Sequence, residues 1–183
     1  AKWRQADETL LLLSRVERKQ NKLAEAKATA NKIITEFPES PLLDQAYFRL
    51  GEYQFAGDEF DPCIASYDQI LTKWPESAFV PYALYGKGWG LLKQKKFQDA
   101  TASFTELLTK HPDHTLKSDT LFGRAMSRRQ GGEFEGAVQD ADAFLQTNPS
   151  VERKAEVLYE RGLAEVGLKK FDVAAATFTS LLT

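Results

Sequence analysis

The sequence predicts an all-α solenoid of five antiparallel helix pairs, and three observations carry that prediction. A small residue recurs every 37 positions, at Ala26, Cys63, Ala100, Ala137 and Ala174. Three positions before each stands a large apolar residue: Leu23, Phe60, Phe97, Phe134 and Phe171. Twelve positions after the first four stands a proline: Pro38, Pro75, Pro112 and Pro149. A fixed period in this range marks stacked copies of one supersecondary unit. The units fall at about 4–38, 41–75, 78–112, 115–149 and 152–183, so a single solenoid domain over 1–183 leaves no room for a second.

The second unit shows how each is built. Ser40-Pro41 is a start signal, since serine accepts from free backbone N–H groups and proline tolerates the first helical turn. Leu43, Tyr47, Leu50 and Gln54 follow at helical spacing. At Gly57-Asp58 the helix should break, with Gly57 making the left-handed exit and Asp58 capping the next helix. That helix carries Phe60, Cys63, Ile64, Tyr67, Ile70 and Leu71 as one apolar stripe and ends before Pro75. The same turn falls at Gln20-Asn21 in the first unit, Gln94 to Lys96 in the third, Gly131-Gly132 in the fourth and Lys169-Lys170 in the fifth. Polar joints link the units at Glu39-Ser40, Glu76-Ser77, Asp113-His114 and Ser150. Ser14, Gly51, Gly88, Ala125 and Gly162, twelve before the anchors, let neighbouring helices approach closely. One helix pair cannot bury its stripe alone, so each unit must lean on the next.

Composition narrows the function. A formal net charge of −2 offers no clustered cationic excess for nucleic acid or an anionic membrane. The longest apolar run, Leu10 to Leu13, is too short for membrane insertion, and no signal segment is visible. Cys63 stands alone, which excludes an intrachain disulfide. Because the chain opens on Ala1 and stops short of a fifth proline, it reads as a piece of a longer protein.

These residues resemble the tetratricopeptide repeat. Leu50-Gly51 matches the family's central Leu-Gly, the five anchors match its small residue, and Tyr67, Phe104 and Phe178 match its following aromatic. The chain departs from the family where Ala30 and Ala141 replace that aromatic, and where Lys87, Arg124 and Arg161 stand at a leucine position. The longer period and phrases such as FPESP look like the branch common in bacterial cell-envelope proteins, the extra residues lengthening the start of each first helix. The resemblance implies a right-handed superhelix whose concave side, lined by first helices, binds a peptide or protein segment. It implies no cofactor and no catalysis, and it favours the periplasm or cell envelope over the cytoplasm.

In the family three columns face that groove. The first is Leu11, Phe48, Tyr85, Phe122 and Tyr159; the second is Arg15, Glu52, Trp89, Met126 and Leu163; the third is Arg18, Phe55, Leu92, Arg129 and Val166. The partner-binding set expected from them is Phe48, Glu52, Phe55, Tyr85, Trp89, Leu92, Phe122, Met126, Arg129 and Tyr159. Aromatic residues at helical spacing serve equally as core, and the Phe48 column fits either role. The family's carboxylate clamp for chaperone tails is absent, because Arg15 alone among the corresponding residues has the required charge.

Other constellations are weaker. Lys87, Arg124 and Arg161 form either a basic ladder for an acidic partner or solvated heads on apolar stems, the second being favoured. His111 and His114 with Asp113 fall short of the four converging ligands of structural zinc. GDEFD lacks the spaced ligands of a calcium loop, so no metal is expected. No nucleophile–base pair or phosphate loop is present, and Cys63 occupies a packing position where its thiol is inert. The expected function is therefore a non-catalytic scaffold for a protein or peptide. The alternatives are a structural arm that oligomerises through its end faces, with Phe178, Leu181 and Leu182 open, or the regulatory arm of an enzyme.

Overall fold

The computed structural model describes residues 5–182. Arg4 and Thr183, the outer limits expected for the first and last units, lie outside the described residues. Ten helices and no strands occur among the described residues: α1 (Ala6–Lys19), α2 (Leu23–Glu36), α3 (Leu43–Ala56), α4 (Phe60–Lys73), α5 (Val80–Lys93), α6 (Phe97–Lys110), α7 (Lys117–Gln130), α8 (Phe134–Leu145), α9 (Val151–Gly167) and α10 (Phe171–Thr179). The chain falls into two compact units, Ala1–Gln94 and Lys95–Thr183, divided in the turn between α5 and α6.

Within each pair, the turn is a repeated backbone motif. Asn21, Asp58, Lys95, Gly132 and Lys169, one period apart, all have positive φ, between 57° and 84°. The residue after each of four of them donates back to a carbonyl five positions earlier: Lys22 to Glu17, Glu59 to Gln54, Glu133 to Arg128 and Lys170 to Glu165. This is the Schellman closure, which satisfies otherwise orphaned carbonyls at a helix end. Gly57 is therefore not the left-handed residue; its φ is −97°, because its N–H still bonds the carbonyls of Tyr53 and Gln54. Asp58 takes that conformation instead, and its side chain does not cap α4.

At the joints, a side chain two residues ahead of the turn accepts a backbone N–H. Ser40 Oγ takes Leu42 N, Ser77 Oγ takes Phe79 N, and His114 Nδ1 takes Leu116 N at 3.2 Å. The two serines also donate to carboxylates of the preceding unit, Ser40 to Asp7 at 2.6 Å and Ser77 to Asp44 at 2.5 Å. The Ser40 hydroxyl holds the Asp7 carboxyl below its usual range. First helices are not generally lengthened: α1, α3, α5 and α7 have 14 residues each, as do α2, α4 and α6. The exception is α9, with 17 residues, which starts early where Ser150 accepts the N–H of Arg153.

The core follows the anchors, all five of which are buried. In the first unit, Ala26 and Ala30 of α2 pack against Leu50 and Tyr53 of α3. In the second, Ala141 and Phe144 of α8 pack with Leu121 of α7 and Val157 of α9. Second helices thus bury their stripe partly on the next pair, each large side chain contributing about 1.5–3 kcal/mol. The small positions admit rings. A Cβ on Gly51 or Gly86 would lie 2.6 or 2.5 Å from Tyr67, and one on Gly123 would lie 2.8 Å from Phe104. Of the residues expected to form an open end face, Leu182 is exposed while Phe178 and Leu181 are half-buried, Phe178 against Gly162.

Candidate protein-interaction surface

Within the first compact unit α3 packs on α4 and also meets α5, and within the second α7 packs on α8 and also meets α9. The first column grades from buried to open: Leu11 and Phe48 are buried, Tyr85 and Phe122 half-buried, and Tyr159 53% exposed. In the second column Arg15 is exposed, and Glu52, Trp89, Met126 and Leu163 are half-buried. In the third, Arg18 and Val166 are exposed, Phe55 and Arg129 half-buried, and Leu92 buried.

Two residues of the expected set are buried. Phe48 is only 9% exposed because Phe79, from the joint before α5, stacks on it with centroids 5.1 Å apart, and Tyr67 and Tyr82 close the remaining sides. Leu92 is 7% exposed. The other eight keep accessible area. Tyr85 and Trp89 meet edge to face on α5 at 6.1 Å, and Phe55 meets Phe60 at 5.6 Å. In the second unit, Phe122 lies under the Arg153 guanidinium at 4.8 Å, Tyr159 touches Phe178, and Arg129 Nε bonds Glu160 Oε2 at 2.5 Å.

Lys87, Arg124 and Arg161 are neither a free basic ladder nor solvated heads. Each reaches back 19 residues to the second helix of the preceding pair: Lys87 to Asp68 at 2.6 Å, Arg124 to Thr105 at 3.2 Å, and Arg161 to Asp142 at 2.8 Å. Arg124 also grips Asp140, and Arg161 pairs with Glu165 at 2.5 Å. Where the family prefers leucine, this chain ties adjacent pairs with charge. Arg49 escaped notice in the sequence, because it lies outside the three columns. Its signal is its register, where the fifth unit has Glu160.

His114 is engaged as a joint acceptor, and no group of His, Cys, Asp and Glu able to hold a metal occurs among the described residues. Cys63 is buried and burial pushes its thiol up to about 12, far from thiolate chemistry. No helix of the described residues is long and apolar enough to cross a membrane.

Paired helices closed by a left-handed turn, packed through a small anchor and leaving first-helix side chains part-open, define a tetratricopeptide-repeat solenoid, the fold of protein-interaction scaffolds. A tetratricopeptide repeat model matches residues 8–40 and 45–77, and the model of the YfiO family, described as outer membrane lipoprotein, matches 76–177. The latter takes in more than half of the sequence: the chain belongs to the tetratricopeptide-repeat proteins and, among them, to the YfiO outer membrane lipoprotein family. No curated protein matches it in sequence. Among solved structures it is similar to a tetratricopeptide repeat protein from Parabacteroides merdae, with TM-score 0.83 and 20% identity over 97% of this chain and 66% of that one. The chain thus spans slightly less than two thirds of that protein. It is also similar to MamA from Desulfovibrio magneticus (TM-score 0.82, 16% identity, 100% of this chain and 96% of that one). A third likeness is to TPR-like repeats of a Podosopora anserina putative kinesin light chain (TM-score 0.78, 11% identity, 98% and 95%).

Proposed function

We propose that the chain is a non-catalytic scaffold whose first-helix faces bind an extended peptide or protein segment. The carrying observation is the Tyr85–Trp89 pair: two part-open rings in edge contact, held on one helix. Rigid aromatic rings are ordered before a partner arrives, and rings of this kind dominate binding energy at protein interfaces. Glu52 and Phe55 extend that face within the first unit; Phe122, Met126, Arg129 and Tyr159 form the corresponding face of the second. Membership of a family described as outer membrane lipoprotein supports a bacterial cell-envelope setting.

The test uses a peptide selected against the 183-residue chain from a random-sequence library. Trp89→Ala should raise its Kd about 30-fold, the equivalent of roughly 2 kcal/mol, while the melting temperature and helicity hold. An unchanged Kd, or a loss of affinity matched by a loss of fold, assigns Trp89 to the core and overturns the reading.

A further inference from the structure

Arg129 of α7 and Glu160 of α9 are 31 residues apart and form an ion pair with a nearly buried carboxylate. Three periods earlier, the same two positions are Arg18 of α1 and Arg49 of α3, so this register holds two guanidiniums. Around them a cavity of about 540 Å³ opens between α1 and α3, and its charged lining is Arg15, Arg18, Lys19, Arg49 and Glu52. Four cations thus face one carboxylate, on a chain whose formal net charge is −2.

The one carboxylate is already engaged. Glu52 Oε2 accepts from Arg49 Nη1 at 2.6 Å, and no carboxylate among the described residues pairs with Arg15, Arg18 or Lys19. Arg49 Nε is buried and has no hydrogen-bond acceptor among the described residues, while the guanidinium lies 5.2 Å from the Phe48 ring centroid and the side chain keeps 24% of its surface open. Arg18 and Lys19 sit in the last turn of α1, where the helix dipole eases the gathering of positive charge.

We infer that this cavity is a subsite for acidic side chains, Asp or Glu, of a bound protein segment, an inference that rests on the first-helix face being the binding face. A carboxylate from the partner does for Arg18 and Arg49 what Glu160 does for Arg129. Guanidinium forks match carboxylates in bidentate geometry, which gives direction as well as charge. Arg18 and Arg49 lie outside the two columns that grip a chain-end carboxylate in the family's clamp. The subsite therefore reads side-chain carboxylates within a segment.

The probe is a rhodamine-labelled hexaglutamate with an amidated C-terminus, titrated into the 183-residue chain by fluorescence anisotropy. Binding should weaken at least about tenfold between roughly 0.05 and 0.5 M salt. Arg49→Glu, which restores the charge pattern of Arg129 and Glu160, should also weaken it at least about tenfold. Circular dichroism reports whether that variant folds, and the exposed Arg18→Gln provides a second variant with the same expected direction. No binding by the parent chain overturns the inference, as does a Kd unchanged in both variants. Preferential binding of a hexa-alanine probe with a free C-terminus also overturns it, by assigning the cavity to chain ends. Retained hexaglutamate binding with no effect of Trp89→Ala on the library-selected peptide breaks the groove reading alone, and the converse result breaks this inference alone.

Discussion

In Ala1–Gln94, Ser66 of α4 donates a hydrogen bond to Gln54 of α3 at 2.7 Å. At the same register in Lys95–Thr183, Asp140 of α8 is held by Arg128 Nη1 at 2.7 Å and by Arg124 Nη2 at 2.6 Å. One period further, Thr177 of α10 donates to Glu165 of α9, which also pairs with Arg161. Backbone turns and anchors are common to both units, yet the cement differs. The first is sewn with rings, Phe48 among Tyr67, Phe79 and Tyr82, and Tyr47 on Trp74 at 5.8 Å. The second keeps ring contacts of its own, Phe122 on Phe144 and Tyr159 on Phe178, and adds the arginine–carboxylate clusters at Asp140 and Glu165. Repeat geometry fixes where two side chains meet; it leaves open what chemistry joins them.

The largest effect that tests this contrast comes from Asp140→Ala. Its side chain is 4% exposed, and removing it leaves the half-buried Arg124 and Arg128 without their shared carboxylate. The loss should be about 3–5 kcal/mol by chemical denaturation. Ser66→Ala at the equivalent position should lose about 1 kcal/mol, the worth of a neutral hydrogen bond. Equal losses would show that the two units are held alike. Replacing the whole triad, with Arg124→Leu, Arg128→Met and Asp140→Leu together, should fall within about 2 kcal/mol of the parent, since apolar packing substitutes well for a buried ion network. Hydrogen exchange should place the damage of Asp140→Ala in α7 and α8, because contacts in a solenoid are local.

A smaller effect tests the rings. Tyr67 is clasped between Gly51 and Gly86, both of which would bring a Cβ within 2.6 Å of it. Gly86→Ala should cost about 1–3 kcal/mol through overpacking. Gly123→Ala, at the equivalent place under Phe104, should cost less, since its closest approach is 2.8 Å against 2.5 Å at Gly86. Adding Tyr67→Leu to Gly86→Ala should recover part of the loss; a purely additive double variant would remove Tyr67 as the cause.

The period, the helix pairs and the buried anchors were legible because Ala26, Cys63, Ala100, Ala137 and Ala174 share one register. The left-handed residue was harder to place. Gly57 is the obvious candidate by propensity, yet the column Asn21, Asp58, Lys95, Gly132 and Lys169 carries the conformation, and two of its members are lysines with no preference for it. Closing hydrogen bonds, not residue type, set that phase. The candidate surface was legible as columns but not as exposure. Phe48 and Tyr85 are equivalent in sequence, and what buries Phe48 is Phe79, a joint residue that enters from the next pair. The clips of Lys87, Arg124 and Arg161 were hidden for a similar reason: their partners lie 19 residues back, beyond any local helical pattern.

The smallest effect expected comes from the joints. Ser40 and Ser77 accept a backbone N–H through a hydroxyl that does not titrate near neutrality, whereas at the same place in the second unit His114 accepts through Nδ1. Burial, and then the nearby His111, lower the His114 pKa below its ordinary value of 6.5. A protonated Nδ1 cannot accept, so the folded chain binds this proton less readily than the unfolded one. The contribution is therefore complete above about pH 6.5 and is lost as pH falls through the lower folded value. Carboxylates titrate over part of the same range, so the informative quantity is the difference between two melting curves. His114→Ser should flatten the fall in melting temperature between about pH 7 and pH 5 relative to the parent, and leave α7 starting where it does. If the two chains lose stability in parallel, the imidazole is not the acceptor that closes this joint, and the two units' joints are alike after all.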